Sequence, residues 1–328
     1  MPSNRIHYLG AVALVVTVGL AATSGAASAP ATGSGLAANS AQASAKIAFV
    51  SYRGGGPANH GTVYVVNADG SGQRRLARHV RDFPPAWSPD GRKLAFVRDV
   101  GANSEVYVVN ADGSGERRLT RNPAGGGFPA WSPDGRKIAF VRGVGGNGEV
   151  YVMNADGSGQ RNLTRNPADD WFSAWSPDGR KIAFVRSGRC WVCPANDKLY
   201  VMNADGSGQR RLARNARGGA VPPSRPSPVS WSPDGRRIAF ARGLRPNPKT
   251  ARFHVRMEVY VMNADGSGQR RLAYGAQPLW SPDGQRIAFV RSGRLVGGLY
   301  VMNADGSGQR RLARNARGGA AWSPGPKK

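Results

Sequence analysis

The chain is poor in the residues that most chemistry needs. Its 328 residues include two cysteines, four histidines and 20 acids, the acids set against 46 Lys and Arg. Two cysteines exclude a disulfide framework. They leave one C-x-x-C, Cys190–Cys193, without the βαβ setting of a redox motif or the further ligands of a zinc site. His7, His60, His79 and His254 are scattered, so no histidine metal cluster is expected. No G-x-S-x-G elbow occurs, and the longest apolar run, Leu9–Leu20, has 12 residues, short of a membrane span. Eleven of the 20 acids are Asp in D-G turns, which leaves few for an acid–base pair. The sequence thus predicts a protein with no catalytic residues, no metal and no cofactor.

What is present begins with a leader. Residues 1–29 join an n-region containing one Arg, the apolar run and a tail of small residues, the pattern of a secretory signal peptide; a retained anchor is the alternative. Residues 30–45 are mostly Ala, Ser, Gly, Thr and Asn without apolar periodicity, and are expected to be a flexible linker. Export implies an oxidising compartment, secreted, periplasmic or at the cell surface, in which Cys190 and Cys193 are expected to form a disulfide.

The rest of the chain repeats. W-S-P begins at Trp87, Trp131, Trp175, Trp231, Trp280 and Trp322, and N-A-D-G-S-G at Asn67, Asn110, Asn154, Asn203, Asn263 and Asn303. A period near 40–50 residues with short strands inside it is the signature of a β-propeller. In residues 130–164, Trp131 lies on a first strand and S-P-D-G turns the chain. I-A-F-V is a second strand and V-Y-V-M a third. N-A-D-G-S-G makes a tight reversal into a fourth, which carries Leu163. The repeats are numbered 1 (46–77), 2 (86–120), 3 (130–164), 4 (174–213), 5 (230–273) and 6 (279–313). Repeat 1 begins at a second strand, and the chain ends with a first strand at Ala321–Ser323. The expected fold is therefore an all-β, six-bladed propeller over residues 46–323, with four-stranded blades. The C-terminal strand completes blade 1, and residues 324–328 form a basic tail.

The motif W-S-P-D-G-[RQ]-[KR]-[IL]-A-F, followed by Y-V-[MV]-N-A-D-G-S-G, resembles the PD40 (WD40-like) repeat of TolB-like propellers. The resemblance covers residues 46–323, without the additional N-terminal α/β domain of TolB itself. It implies an exported binding or scaffold module in the cell envelope or outside it, not a reaction. A polysaccharide-acting lyase or hydrolase with a site at the channel is the alternative.

The S-P-D-G and N-A-D-G-S-G turns fall on one face, and all loop variation on the other, where binding residues are expected. Strand two usually ends in Arg (Arg98, Arg142, Arg186, Arg242, Arg291). Glu105, Glu149 and Glu258 begin strand three beside that Arg as expected cross-strand partners. Repeat 4 has Lys198 there and repeat 6 has Gly298, so unneutralised charge is expected around repeats 4 and 6. Two tryptophans outside W-S-P, Trp171 and Trp191, belong to repeat 4. The expected partner-binding residues are Trp171, Phe172, Arg186, Arg189, Trp191, Lys198, Arg291 and Arg294. The formal net charge is +26. The expected partner is an envelope protein or an anionic cell-surface polymer, with non-specific polyanion binding besides.

Overall fold

A computed structural model describes residues 46–51, 61–67, 72–81, 83–101, 103–121, 125–144, 147–187, 198–214, 229–243, 257–291, 298–314 and 321–322. The leader, the linker, the basic tail, Arg189, Cys190, Trp191, Cys193 and Arg294 lie outside them. The described residues form strands and turns only, and no helix among them is long and apolar enough to cross a membrane.

Repeat 1 supplies β1 (Lys46–Ser51), β2 (Gly61–Asn67) and β3 (Arg74–Val80). Repeat 2 supplies β4 (Ala86–Trp87), β5 (Lys93–Val100), β6 (Asn103–Asn110) and β7 (Arg117–Arg118). Repeat 3 supplies β8 (Gly126–Trp131), β9 (Lys137–Val144), β10 (Asn147–Asn154) and β11 (Arg161–Asn162). Repeat 4 supplies β12 (Asp169–Trp175), β13 (Lys181–Ser187), β14 (Lys198–Asn203) and β15 (Arg210–Arg214). Repeat 5 supplies β16 (Ser230–Trp231), β17 (Arg237–Gly243), β18 (Met257–Asn263) and β19 (Arg270–Tyr274). Repeat 6 supplies β20 (Ala276–Trp280), β21 (Arg286–Arg291), β22 (Gly298–Asn303) and β23 (Arg310–Arg314), and β24 (Ala321–Trp322) follows.

The chain is an all-β propeller of antiparallel sheets, but the expected six separate blades are corrected to five. Repeats 3 to 6 each form a four-stranded sheet, whereas repeats 1 and 2 share one sheet of eight strands. The cause is local. Val80 on β3 pairs with Arg98 on β5, and the Arg81 N–H donates to the Val97 carbonyl at 2.9 Å. The Arg81 and Asp99 side chains then meet at 2.6 Å across the junction. The expected closure is observed: β24 pairs with β1 through Ile47–Trp322 and Ala48–Ala321.

The core lies between repeats. Strands such as I-A-F-V and V-Y-V-M are apolar on both faces because each sheet is covered on both sides. Phe140 and Met153 of repeat 3 are buried against Val106, Val108 and Leu119 of repeat 2. Phe184 and Met202 of repeat 4 meet Val150, Val152 and Leu163 of repeat 3 in the same way.

The turns carry their own hydrogen bonds. The Ser132 hydroxyl donates to Asp134 at 2.5 Å and accepts from the Lys137 N–H at 2.9 Å. That hydroxyl bond, first among the causes, holds the Asp134 carboxyl below its usual range, and Ser88 and Ser176 do the same for Asp90 and Asp178. In the other turn, Asp156 accepts from the Ser158 N–H at 2.9 Å. Gly157 sits at φ +89°, where a Cβ would lie 2.7 Å from the Leu119 carbonyl of repeat 2. The Ala155 N–H donates to the Arg136 carbonyl at 2.9 Å, which ties the two turns together on one face as expected.

Neighbouring repeats are also joined in series. Indole N–H groups of Trp131, Trp175 and Trp231 donate to the carbonyls of Ala86, Ala130 and Ala174, each in the preceding repeat, at 3.1–3.2 Å. Guanidinium groups of Arg117, Arg161, Arg210 and Arg270 donate to the carbonyls of Asp156, Asp205, Asp265 and Asp305 in the following repeat, at 2.8–3.0 Å.

Candidate functional site

The first strand of each repeat is the inner one, and in repeats 3, 4 and 6 it extends beyond the W-S-P pair toward the loop face. A bulge bends each extension, between Gly127 and Ala130, between Trp171 and Ala174, and between Ala276 and Leu279. Phe128 and Gln277 occupy two of these bulges at φ +53° and +55°.

Trp171 lies on β12 opposite Val185, one residue before its bulge. Its ring covers Gly148, where a Cβ would stand 3.0 Å from the indole. Phe128 meets that ring edge-on at 6.1 Å, and Phe83 packs on Phe128 at 4.2 Å. An aromatic row thus crosses repeats 2, 3 and 4, partly exposed along its length. Phe172 occupies the β12 bulge, and its side chain lies outside the described residues.

The arginines that end strand two lie flat. Arg98, Arg186, Arg242 and Arg291 each cover a Phe–Tyr pair of their own repeat, with 4.4–4.8 Å from guanidinium carbon to tyrosine centroid, and Arg142 covers Tyr151 at 5.2 Å. The guanidinium groups of Arg186, Arg242 and Arg291 then donate to Gln209, Gln269 and Gln309, the residues that follow each G-S-G. Those glutamines reach back to the preceding repeat, as in the 3.0 Å bond from Gln209 to the Leu163 carbonyl.

The expected cross-strand register is observed: Arg98 faces Glu105, Arg142 faces Glu149 and Arg242 faces Glu258. The expected side-chain pairing is not. Glu105 and Glu258 are buried and accept from the strand-four arginines Arg118 (2.7 Å) and Arg271 (2.9 Å). Glu149 accepts from the Thr164 hydroxyl and from the Asn166 N–H at 2.8 Å. Arg98 pairs with Glu116. The cause is the aromatic stack, which draws each strand-two Arg away from the Glu beside it.

Repeat 4 differs from the expectation of unpaired charge. Asp169 and Asp170 are buried on β12. Asp170 is opposite Arg186 and accepts from its Nε and Nη2 at 2.7 and 2.8 Å. Burial pushes the Asp170 carboxyl up, against the pull of the Arg186 guanidinium. Lys198 lies opposite Arg186 on one side and Arg214 on the other, and makes no hydrogen bond or ion pair with a described residue. In repeat 6, Arg291 donates to neutral acceptors, the Tyr274 carbonyl at 3.1 Å and Gln309. The structure therefore brings Arg186 and Lys198 together, places Trp171 on a wall shared by repeats 2 to 4, and sets Arg291 apart in repeat 6.

Phe83 and Phe128 did not stand out in the sequence. Their signal is an aromatic residue three or four positions before a W-S-P tryptophan, which Trp171 and Phe172 share. Among the described residues no group of three or more His, Cys, Asp and Glu is arranged to hold a metal ion.

Known structures share this architecture. TolB from Acinetobacter baumannii superposes with a TM-score of 0.64 at 22% identity, covering 86% of this chain and 67% of that one. An oligogalacturonate lyase in complex with manganese gives 0.57 at 18%, covering 77% and 71%. A nidogen/laminin complex gives 0.61 at 12%, covering 85% and 98%. At these identities the likeness concerns the fold. None of the curated proteins matches the chain significantly. The family model PD40, the TolB beta propeller domain, matches residues 34–242, which carry the W-S-P-D-G and N-A-D-G-S-G turns of repeats 2 to 4 described above. The chain therefore belongs to the PD40 family of TolB β-propeller domains.

Proposed function

We propose that this protein is an exported, non-catalytic propeller that binds an acidic partner, an envelope protein or an anionic cell-surface polymer, through the loop face. The observation that carries this reading is how the arginines are bound. The formal net charge is +26, and six of the arginines described above, Arg117, Arg161, Arg210, Arg270, Arg242 and Arg291, end on carbonyl or amide oxygens. A neutral acceptor fixes a guanidinium without cancelling its charge, so the folded ring keeps a positive field. Trp171 and Lys198 on repeat 4, with Arg186, Arg189 and Trp191, and Arg291 with Arg294 on repeat 6, are the proposed contact residues. The pattern of residues 1–29 supports export, and a Cys190–Cys193 disulfide belongs to the same proposal.

The test is retention of the mature protein on a heparin matrix across a salt series, together with a β-elimination assay on polygalacturonate. Retention should fall steeply with salt, because surface charges are screened within about 8 Å at physiological ionic strength. The elimination assay should stay silent. Retention indifferent to salt would refute the charge-driven reading, and product formation would replace it with a lyase.

A further inference from the structure

The repeats act as controls for one another at a single position, the residue of strand three that faces the strand-two arginine. In repeat 5 this is Glu258. It lies between Arg242 and Tyr274 in register, and Arg271 of β19 donates to its carboxylate at 2.9 Å. In repeat 2 the same position is Glu105, held by Arg118 at 2.7 Å. Repeat 3 keeps the acid, Glu149, but has Asn162 in place of the strand-four arginine.

Repeat 6 keeps both arginines and loses the acid. Gly298 faces Arg291 on one side and Arg314 on the other, and Arg311 faces Tyr300 as Arg271 faces Tyr260. Residues directly opposite in a sheet share a face, so Arg291 and Arg311 flank the space that a glutamate fills in repeat 5. Arg311 is exposed and makes no hydrogen bond or ion pair with a described residue. Arg291 is spent on neutral acceptors and on the Tyr300 ring at 4.4 Å. Repeat 4 shows what compensation looks like: Lys198 fills the position, and Asp170 neutralises Arg186 from the inner strand. In repeat 6 the residue corresponding to Asp170 is Gly275. A Cβ there would lie 2.6 Å from the Phe289 ring, so no acid can stand in its place. The Tyr274 carbonyl accepts from Arg291, and the Tyr274 ring, exposed among the described residues, lies at 5.1 Å from the Arg271 guanidinium in repeat 5.

We infer that repeat 6 is an open carboxylate slot, and that a glutamate or aspartate side chain of an acidic polypeptide fills it from outside, between Arg291 and Arg311. A carboxylate on a side chain of glutamate size is what Arg271, the counterpart of Arg311, holds in repeat 5 opposite Arg242, which favours a peptide over a sugar acid or a phosphate. This inference rests on the basic binding surface proposed above and names one contact on it.

The test uses the full mature chain and a fluorescent oligoglutamate, with binding read by anisotropy at low salt. Gly298→Glu supplies the acid in cis and should weaken oligoglutamate binding at least about tenfold, the range of a charge-assisted hydrogen bond pair, while the melting temperature does not fall. Arg311→Gln, which removes the guanidinium and leaves Gly298 as it is, should weaken it similarly. Arg92→Gln, the same charge change on the turn face, should leave it unaltered. Wild-type affinity in both Gly298→Glu and Arg311→Gln would overturn the slot. An oligogalacturonate that binds more tightly than oligoglutamate, in a Gly298-dependent way, would overturn the peptide assignment. Heparin retention separates the two readings: lost slot binding with intact retention leaves the general surface standing, and slot binding without retention does the reverse.

Discussion

Replacing Asp170 by Asn should cost this propeller about 2–3 kcal/mol, near the lower end of what breaking a buried ion pair costs. The figure follows from the local geometry. Asp170 is fully buried and Arg186 has 13% of its side chain exposed, so neither charge is well hydrated. Asn keeps one acceptor for the Arg186 Nε at 2.7 Å. Its amide cannot accept from Nη2, now at 2.8 Å, and the counter-charge is lost. Arg186 retains Gln209 at 3.0 Å and the Tyr200 ring at 4.7 Å, which keeps the loss below the upper end of the range. Thermal unfolding followed by circular dichroism should show a fall of roughly 3–5 °C. The double variant Asp170→Asn/Arg186→Gln should recover more than half of that, because no charge remains to be solvated. The sign with pH is also fixed. Burial raises the folded Asp170 pKa, so this group favours the fold below its unfolded pKa and loses that contribution as pH rises through the folded value. The gap between wild type and Asp170→Asn should therefore widen as pH falls through the folded value, since wild type gains the contribution of its neutral carboxyl while the variant has no group to titrate there. A single variant that melts within about 1 °C of wild type at neutral pH would refute the reasoning, because that is only about 0.6 kcal/mol for a domain of this size.

The turn aspartates predict the opposite pH response. Asp90, Asp134, Asp178, Asp234 and Asp283 have folded pKa values lowered first of all by their serine hydroxyls. Their contribution is present above the ordinary carboxylate range and is lost as pH falls through the folded values. The melting temperature should therefore drop below about pH 4, and Ser132→Ala should shift the Asp134 carboxyl resonance in a pH titration by NMR back toward its usual midpoint. Gly157→Ala should destabilise by about 1–2 kcal/mol from the left-handed backbone alone, with the Leu119 carbonyl contact adding to it, whereas Gly91→Ala, with open space around it, should cost only the backbone share; chemical denaturation of the two variants measures the difference.

The frame of the fold was legible in the sequence because the motifs that mark it are local. S-P-D-G and N-A-D-G-S-G satisfy their hydrogen bonds within five residues, so their spacing reports the strands directly. The C-terminal pairing followed from counting strands. What could not be read were consequences of two repeats meeting. The Val80–Arg98 pair that joins repeats 1 and 2 depends on a backbone approach that neither strand encodes alone. The Glu partners were misread because cross-strand register says which residues are opposite, not which way a long side chain turns. The competing attraction, a Phe–Tyr pair two residues along, lay in the repeat itself. The strand position of Asp169 and Asp170 is not legible because a bulge extends β12 past the usual length of that strand, and bulges leave little trace in composition.

The closure between β24 and β1 has a mechanical meaning. The first and last described strands are neighbours in one sheet, joined by two residue pairs, while the adjoining β1–β2 ladder has six. Tension applied between the two ends of the ring is thus not shared around it. It falls first on Ile47–Trp322 and Ala48–Ala321, and the remaining sheets carry load only after that seam has parted. A propeller tethered at one end and pulled through a partner at the other would behave as a clasp with a defined weakest tooth, opening at repeat 1 whatever the strength of the repeats beyond it.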